Sequence, residues 1–80
     1  MPKEKKPYPC PEFGAHLREL RKEAGFTQES FALAAEFDRT YVSGVERGER
    51  NVSLISISRF ADALGLHPSR LFEFYKTEDQ

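Results

Sequence analysis

The 80-residue chain holds one cysteine, no tryptophan, one methionine and two histidines. Each scarcity excludes a class of protein. Cys10 alone cannot form an internal disulfide, which leaves a reducing, cytoplasmic setting as the expectation. His16 and His67 lie far apart, with no Cys, Ser or carboxylate at a ligand or triad spacing, so no metal, no cofactor and no nucleophile–base pair is expected. Glu19 and Glu23 form a solvated helical pair, not a catalytic dyad. No apolar run approaches the ~20 residues of a membrane span, and MPKEKKPYPCP lacks the apolar stretch of a signal peptide. Strand signals are nearly absent, since only Ile55 and Ile57 alternate with serines. Charge of one sign is missing too. Twelve basic residues against 13 acidic ones give a net charge of −1 and no global pull toward nucleic acid. What is present is 39% hydrophobic residues, with seven Phe and three Tyr. That is enough to collapse into one small domain burying roughly 60–65% of its unfolded surface.

Residues 1–11 carry four prolines and three lysines without periodicity and read as a flexible arm, in which Lys3, Lys5 and Lys6 could touch phosphates. Residues 76–80 read as a polar tail. Between them, 12–75 reads as one helical domain. Phe13, Leu17, Leu20 and Ala24 form a one-face helical stripe, with Pro11 suited to the first turn and Gly25 to the stop. A second pattern recurs downstream. An apolar residue precedes a capping residue, and another apolar residue follows five positions after the first: Phe26-Thr27 with Phe31, Phe37-Asp38 with Val42, and Val52-Ser53 with Ile57. Leu66-His67-Pro68 with Leu71 repeats it, with His67 a poor cap offset by Pro68. These are caps and hydrophobic staples. The pattern predicts five helices at about 12–24, 28–35, 39–47, 54–64 and 68–75. Only about three residues join the second to the third. So short a connection forces a steep crossing and frees one side of the third helix to enter a groove.

The third helix turns Val42 and Val45 inward. Its remaining surface opens with Arg39, Thr40 and Tyr41. A guanidinium can bond guanine O6 and N7 together, a threonine methyl can touch a thymine methyl, and a phenol can reach a base edge or a phosphate. Gly44 costs ~1 kcal/mol in helix propensity, so its presence points to close approach. Arg47, Arg50 and Asn51 add phosphate-reaching groups, and Gln28 starts the second helix where a phosphate could meet the helix N-terminus.

These residues reach a family. LRELRKEAGFTQESFA, RTYVSGVERGERNVSL and FADALGLHPSRLF resemble the lambda-repressor-like helix–turn–helix domains of the XRE group, over about residues 13–74. RTYVSGVERGERN looks most like the controller proteins of restriction–modification systems. The resemblance implies an all-α, compact five-helix domain and a homodimer that regulates transcription by binding double-stranded operator DNA. It places base contacts on Arg39, Thr40, Tyr41, Ser43 and Gly44, and phosphate contacts on Gln28, Arg47, Arg50 and Asn51. It also implies a buried ion pair between Arg21 and Glu46. That pair makes sense independently, because Glu46 in the last turn of a helix needs a nearby cation. One departure is Glu36, where the family usually has glycine. Either Glu36 takes a positive φ at roughly 1–2 kcal/mol, or the turn has another shape.

Leu54 and Ile57 read as inward on the fourth helix, which leaves Ile55 as surplus. Leu71, Phe72, Phe74 and Tyr75 exceed what one face of the fifth helix can bury. In the family helices four and five form the dimer contact, so Ile55, Leu71, Phe74 and Tyr75 are assigned to a two-fold interface. Leu33 falls between the core positions of the second helix and has no assigned role. Activation would require a contact to RNA polymerase, for which Glu29 is the candidate. The alternative is an antitoxin-type module that neutralises a protein partner and binds its own operator. The few residues outside 12–75 leave little for wrapping a toxin. No enzyme, membrane association or small-molecule ligand is expected. Charge is expected to be polarised, with Arg39, Arg47 and Arg50 on one side and Asp62, Glu73, Glu78 and Asp79 in the C-terminal third.

Overall fold

Four α-helices follow the punctuation of the sequence: α1 (Cys10–Glu23), α2 (Gln28–Ala35), α3 (Arg39–Glu46) and α4 (Leu54–Leu64). The structure, a computed structural model, describes residues 4–75. Lys3 of the arm and the tail 76–80 lie outside the described residues. The expected fifth α-helix is a 3-10 turn, Pro68–Phe72, so the described chain has four α-helices rather than five. The Arg70 carbonyl accepts from Glu73 N–H at 3.4 Å, the three-residue spacing of a 3-10 turn, and from His16 Nε2 at 2.8 Å. Phe74, just past this turn, lies 6.2 Å from the Phe13 ring and 5.9 Å from the His16 ring of α1. Leu71 is 1% exposed and belongs to the core, not to a surface available for a partner.

The caps divide by chemistry. Thr27 Oγ1 accepts from the Ser30 amide at 3.0 Å, and Ser30 Oγ accepts from the Thr27 amide at 3.0 Å, a reciprocal box. Ser53 caps the Ser56 amide at 3.0 Å. Asp38, expected to cap α3, makes no side-chain cap bond. His67, expected to be a poor cap, accepts from the Ser69 amide through Nδ1 at 3.1 Å. The arm also differs from expectation. α1 begins at Cys10, and Lys6 N–H donates to the Gly48 carbonyl at 2.7 Å, so the chain is tied down from Lys6 onward.

All four helices end alike, with paired amide bonds running back from the two residues beyond the last turn. At α2 these are Glu36 N–H to Leu33 O and Phe37 N–H to Ala32 O, at 3.2 and 2.8 Å. The arrangement needs a left-handed residue, which is glycine at three helices and Glu36, at φ +63°, at the fourth. Arg59, from α4, compensates. Its Nε donates to Ala35 O at 3.1 Å, its Nη2 donates to Glu36 O, and its guanidinium lies 4.1 Å over the Phe37 ring. The carboxylate adds only an exposed pair at 3.9 Å. Because Arg59 binds main-chain oxygens, Glu36→Gly is expected to keep the turn and stabilise the fold by about 0.5–1 kcal/mol. A higher urea midpoint with an unchanged m-value would register it.

The core is held by Phe31 and Phe60, stacked at 5.5 Å, with Leu17, Val42, Val45 and Leu71 closing around them. Phe37, in the turn between α2 and α3, packs on Phe60 at 4.9 Å and Tyr41 at 4.8 Å, and so anchors the start of α3. α1 and α3 touch backbone to backbone at Gly14. A Cβ there would lie 2.1 Å from Val45 O and 2.8 Å from Glu46 O. No side chain fits between the two helices at that crossing.

Candidate nucleic-acid interface

Two elements, α1 and α2, hold the end of α3. Arg21 and Glu46 are buried and form a two-pronged pair, with Nε to Oε2 at 2.6 Å and Nη2 to Oε1 at 3.1 Å. Arg21 Nη1 also donates to Phe26 O at 2.8 Å, and Gln28 Nε2 donates to Glu46 Oε1 at 3.0 Å. The last turn of α3 is thereby bonded to α1 and to the first residue of α2. Gln28, assigned from sequence to a phosphate, spends an amide hydrogen on this cluster.

On the outer side, Arg39 and Thr40 are exposed at the start of α3. Ser43 and Arg47 follow at helical spacing, and Arg47 Nη1 donates to Ser43 Oγ. Asn51 is exposed in the loop beyond. Tyr41 is placed differently from its expected outward position. It is half-buried, its hydroxyl donates to Ser56 Oγ at 3.1 Å, and its ring lies parallel to Phe60 at 6.3 Å. Its sequence position, four residues before the inward Val45 and so on the same face of the helix, is the signal for that placement.

Gly44 also has a different reason from the one inferred. It is buried beneath Arg50, and a Cβ would stand 3.2 Å from Arg50 Nε. The Arg50 side chain runs across this gap, its guanidinium 5.6 Å from the Tyr41 ring. Its Nε is buried and has no hydrogen-bond partner in the described protein. Gly44 and Tyr41 thus form a slot that fixes where Arg50 emerges.

Sequence reasoning missed Glu49. Its carboxylate receives Arg47 Nε at 3.0 Å and Nη2 at 3.1 Å, and this hydrogen bonding raises the Arg47 pKa above its ordinary value. The available signal was the RGER segment itself, which carries an acid between its two arginines. The strip from Arg39 to Arg50 is therefore less positive than a count of its arginines implies.

The apolar residues assigned to a second copy separate. Ile55 is 72% exposed and Tyr75 46% exposed, whereas Phe74 is half-buried against Phe13 and Tyr75. Leu54, expected to face inward, is 81% exposed. It sits in the first turn of α4, ahead of the stripe Ile57, Phe60, Ala61 and Leu64 that meets the core. Leu33 is 80% exposed on α2. Among the described residues no group of three or more His, Cys, Asp or Glu could hold a metal, and no helix is long and apolar enough to cross a membrane.

Comparison with known proteins follows the same geometry. A family model described as a helix-turn-helix domain matches residues 12–74. The chain is 45% identical over 67 residues to the control protein C.MunI of a Mycoplasma species, covering 82% of this chain and 90% of that protein. It is 41% identical over 63 residues to the control protein C.BamHI of Bacillus amyloliquefaciens, covering 78% of each. The crystal structure of the restriction-modification controller protein C.AhdI from Aeromonas hydrophila matches with a TM-score of 0.77 and 51% identity, over 79% of this chain and 96% of that one.

Proposed function

Because the chain belongs to the helix–turn–helix domain family, we propose that it is a sequence-specific DNA-binding regulator of transcription, of the restriction–modification controller type. The observation that carries this reading is the exposed Arg39–Thr40 pair opening a helix whose other end is bonded to α1 and α2. α3 enters the major groove, which is about 12 Å wide. Arg39 reads a guanine through O6 and N7, Thr40 meets a thymine methyl, and Ser43 faces the next step. Arg50, Arg47 and Asn51 take phosphates, and Gln28 adds its second amide hydrogen at the start of α2. Tyr41 acts through Arg50 and the packing of α3 rather than by reading a base.

The protein acts as a homodimer. Ile55 and its neighbour Leu54 present adjacent exposed apolar side chains on α4, and Tyr75 with Phe74 extends the apolar surface at the C-terminal end of the domain. A two-fold axis would set the recognition helices about 34 Å apart, on an inverted repeat. Activation would add a contact to RNA polymerase, for which Glu29, exposed in the first turn of α2, is the candidate.

Arg39→Ala is expected to weaken binding to a preferred duplex by about 1–3 kcal/mol and to relax selection at one base pair. Arg50→Ala is expected to weaken preferred and mixed-sequence duplexes alike. Titrating both variants against both duplexes separates base reading from phosphate contact. Equal losses for Arg39→Ala on the two duplexes would remove Arg39 from the base-reading set.

A further inference from the structure

We propose that Glu49 is a built-in competitor for DNA phosphate, which holds Arg47 in a carboxylate clamp and thereby lowers the protein's sequence-independent attraction to DNA. The inference rests on the assignment of α3 and its following loop to the DNA face. Arg47 projects from the end of α3 into solvent, with a side chain 56% exposed, whereas the Glu49 side chain is only 13% exposed. The acid is the seated partner. Its backbone is fixed as well, because Gly48, at φ +80°, turns the chain and Glu49 N–H donates to Gly44 O at 3.0 Å. Gly48 itself packs against the start of α1, where a Cβ would lie 2.6 Å from Pro11 Cα.

The clamp uses the edge of the guanidinium that a phosphate would use. Nε and Nη2 meet the two carboxylate oxygens at 3.0 and 3.1 Å, and Nη1 is bonded to Ser43 Oγ. Two parallel N–H bonds to two oxygens is also the geometry of an arginine–phosphate contact. A phosphate that takes Arg47 must therefore replace an anion already in place, and the exchange yields far less than contact with an unpaired arginine. Arg50 differs. Its guanidinium emerges from the Gly44–Tyr41 slot over an aromatic ring, and its buried Nε has no hydrogen-bond partner among the described residues. The two arginines of one short loop are thus unequal, one restrained and one presented.

Glu49→Gln keeps the shape of the side chain and removes its charge. The full chain carrying this change is titrated with a mixed-sequence duplex over about 50–200 mM salt, beside the unaltered protein, Arg47→Ala and the double variant. With its charge no longer neutralised by Glu49, Arg47 brings one full charge to its phosphate contact. The expected result is about threefold or greater tightening, with a salt slope more negative by about 0.9. Both changes should vanish in the Arg47→Ala background. Unchanged or weakened binding by Glu49→Gln overturns the proposal, and so does a gain that persists without Arg47, which would report charge alone. Failure of the unaltered protein to bind any duplex would instead overturn the DNA-binding reading.

Discussion

Glu46→Ala is expected to destabilise the fold by about 3–5 kcal/mol, the loss that follows when one partner of a buried ion pair is removed. The side chains of Arg21 and Glu46 are 8% and 2% exposed, so neither charge can turn to water in place. Without the carboxylate, Arg21 keeps only its bond to Phe26 O, and the Gln28 amide loses its acceptor. In a domain of this size each kcal/mol moves the melting temperature by about 4–8 °C. Glu46→Ala should therefore melt at least about 12 °C below the unaltered protein. The same change made to both partners has a different outcome. Arg21→Met with Glu46→Leu leaves no unpaired charge and should recover most of the lost stability. Thermal unfolding of the two variants side by side tests whether the pair's role is orientation rather than net stabilisation.

Gly14→Ala is the second large effect, expected at about 2–3 kcal/mol, the upper part of the range for overfilling a packed contact. The added carbon would meet Val45 O and Glu46 O, main-chain atoms that have no rotamer to escape into. α3 must shift against α1, and the shift falls on the turn that carries Glu46. Destabilisation should therefore come with weaker preference for a selected duplex, measured well below the lowered melting temperature. Gly44→Ala supplies the contrast. Its new carbon would meet only the flexible Arg50 side chain, at 3.2 Å from Nε, so the melting temperature should hold while Arg50 is displaced. Equal melting temperatures for Gly14→Ala and the unaltered protein would show that α1 and α3 do not meet as closely as described.

The contrast between these two glycines shows which features a sequence displays. Helix ends are local. Thr27 and Ser53 lie within three residues of the amides they cap, and Gly25 and Gly65 end their helices by the same kind of local bond. Such features can be read along the chain, and the α2–turn–α3 unit was visible in this way. Gly14 faces the carbonyls of residues 31 and 32 positions away, and nothing near it in sequence reports that contact. Arg59 is similar. Its partners are the carbonyls of Ala35 and Glu36, so the residue that makes Glu36 tolerable sits two elements downstream. Leu71 and Leu54 exchanged roles for a geometric reason. A 3-10 turn aims Leu71 inward, and the first turn of α4 projects beyond the core.

In the candidate interface, residue types were legible and their pairings were not. Tyr41, Gly44 and Arg50 read as three separate DNA contacts, yet they form one slot. Arg47 and Glu49 read as one cation and an uncounted acid, yet they form a clamp. The balanced net charge is therefore matched locally, because the arginine-rich end of α3 carries its own acid. On the proposed DNA-binding reading, a protein built this way would gain little from bulk attraction and would depend on base contacts for discrimination.

Selection of bound duplexes from a random pool tests that dependence most directly. A homodimer reading bases through Arg39 and Thr40 should enrich an inverted repeat with half-site centres about one helical turn apart, near 34 Å. Each half-site should hold a guanine whose enrichment disappears in Arg39→Ala. A pool that emerges without a preferred sequence, or with a motif lacking two-fold symmetry, would contradict the account.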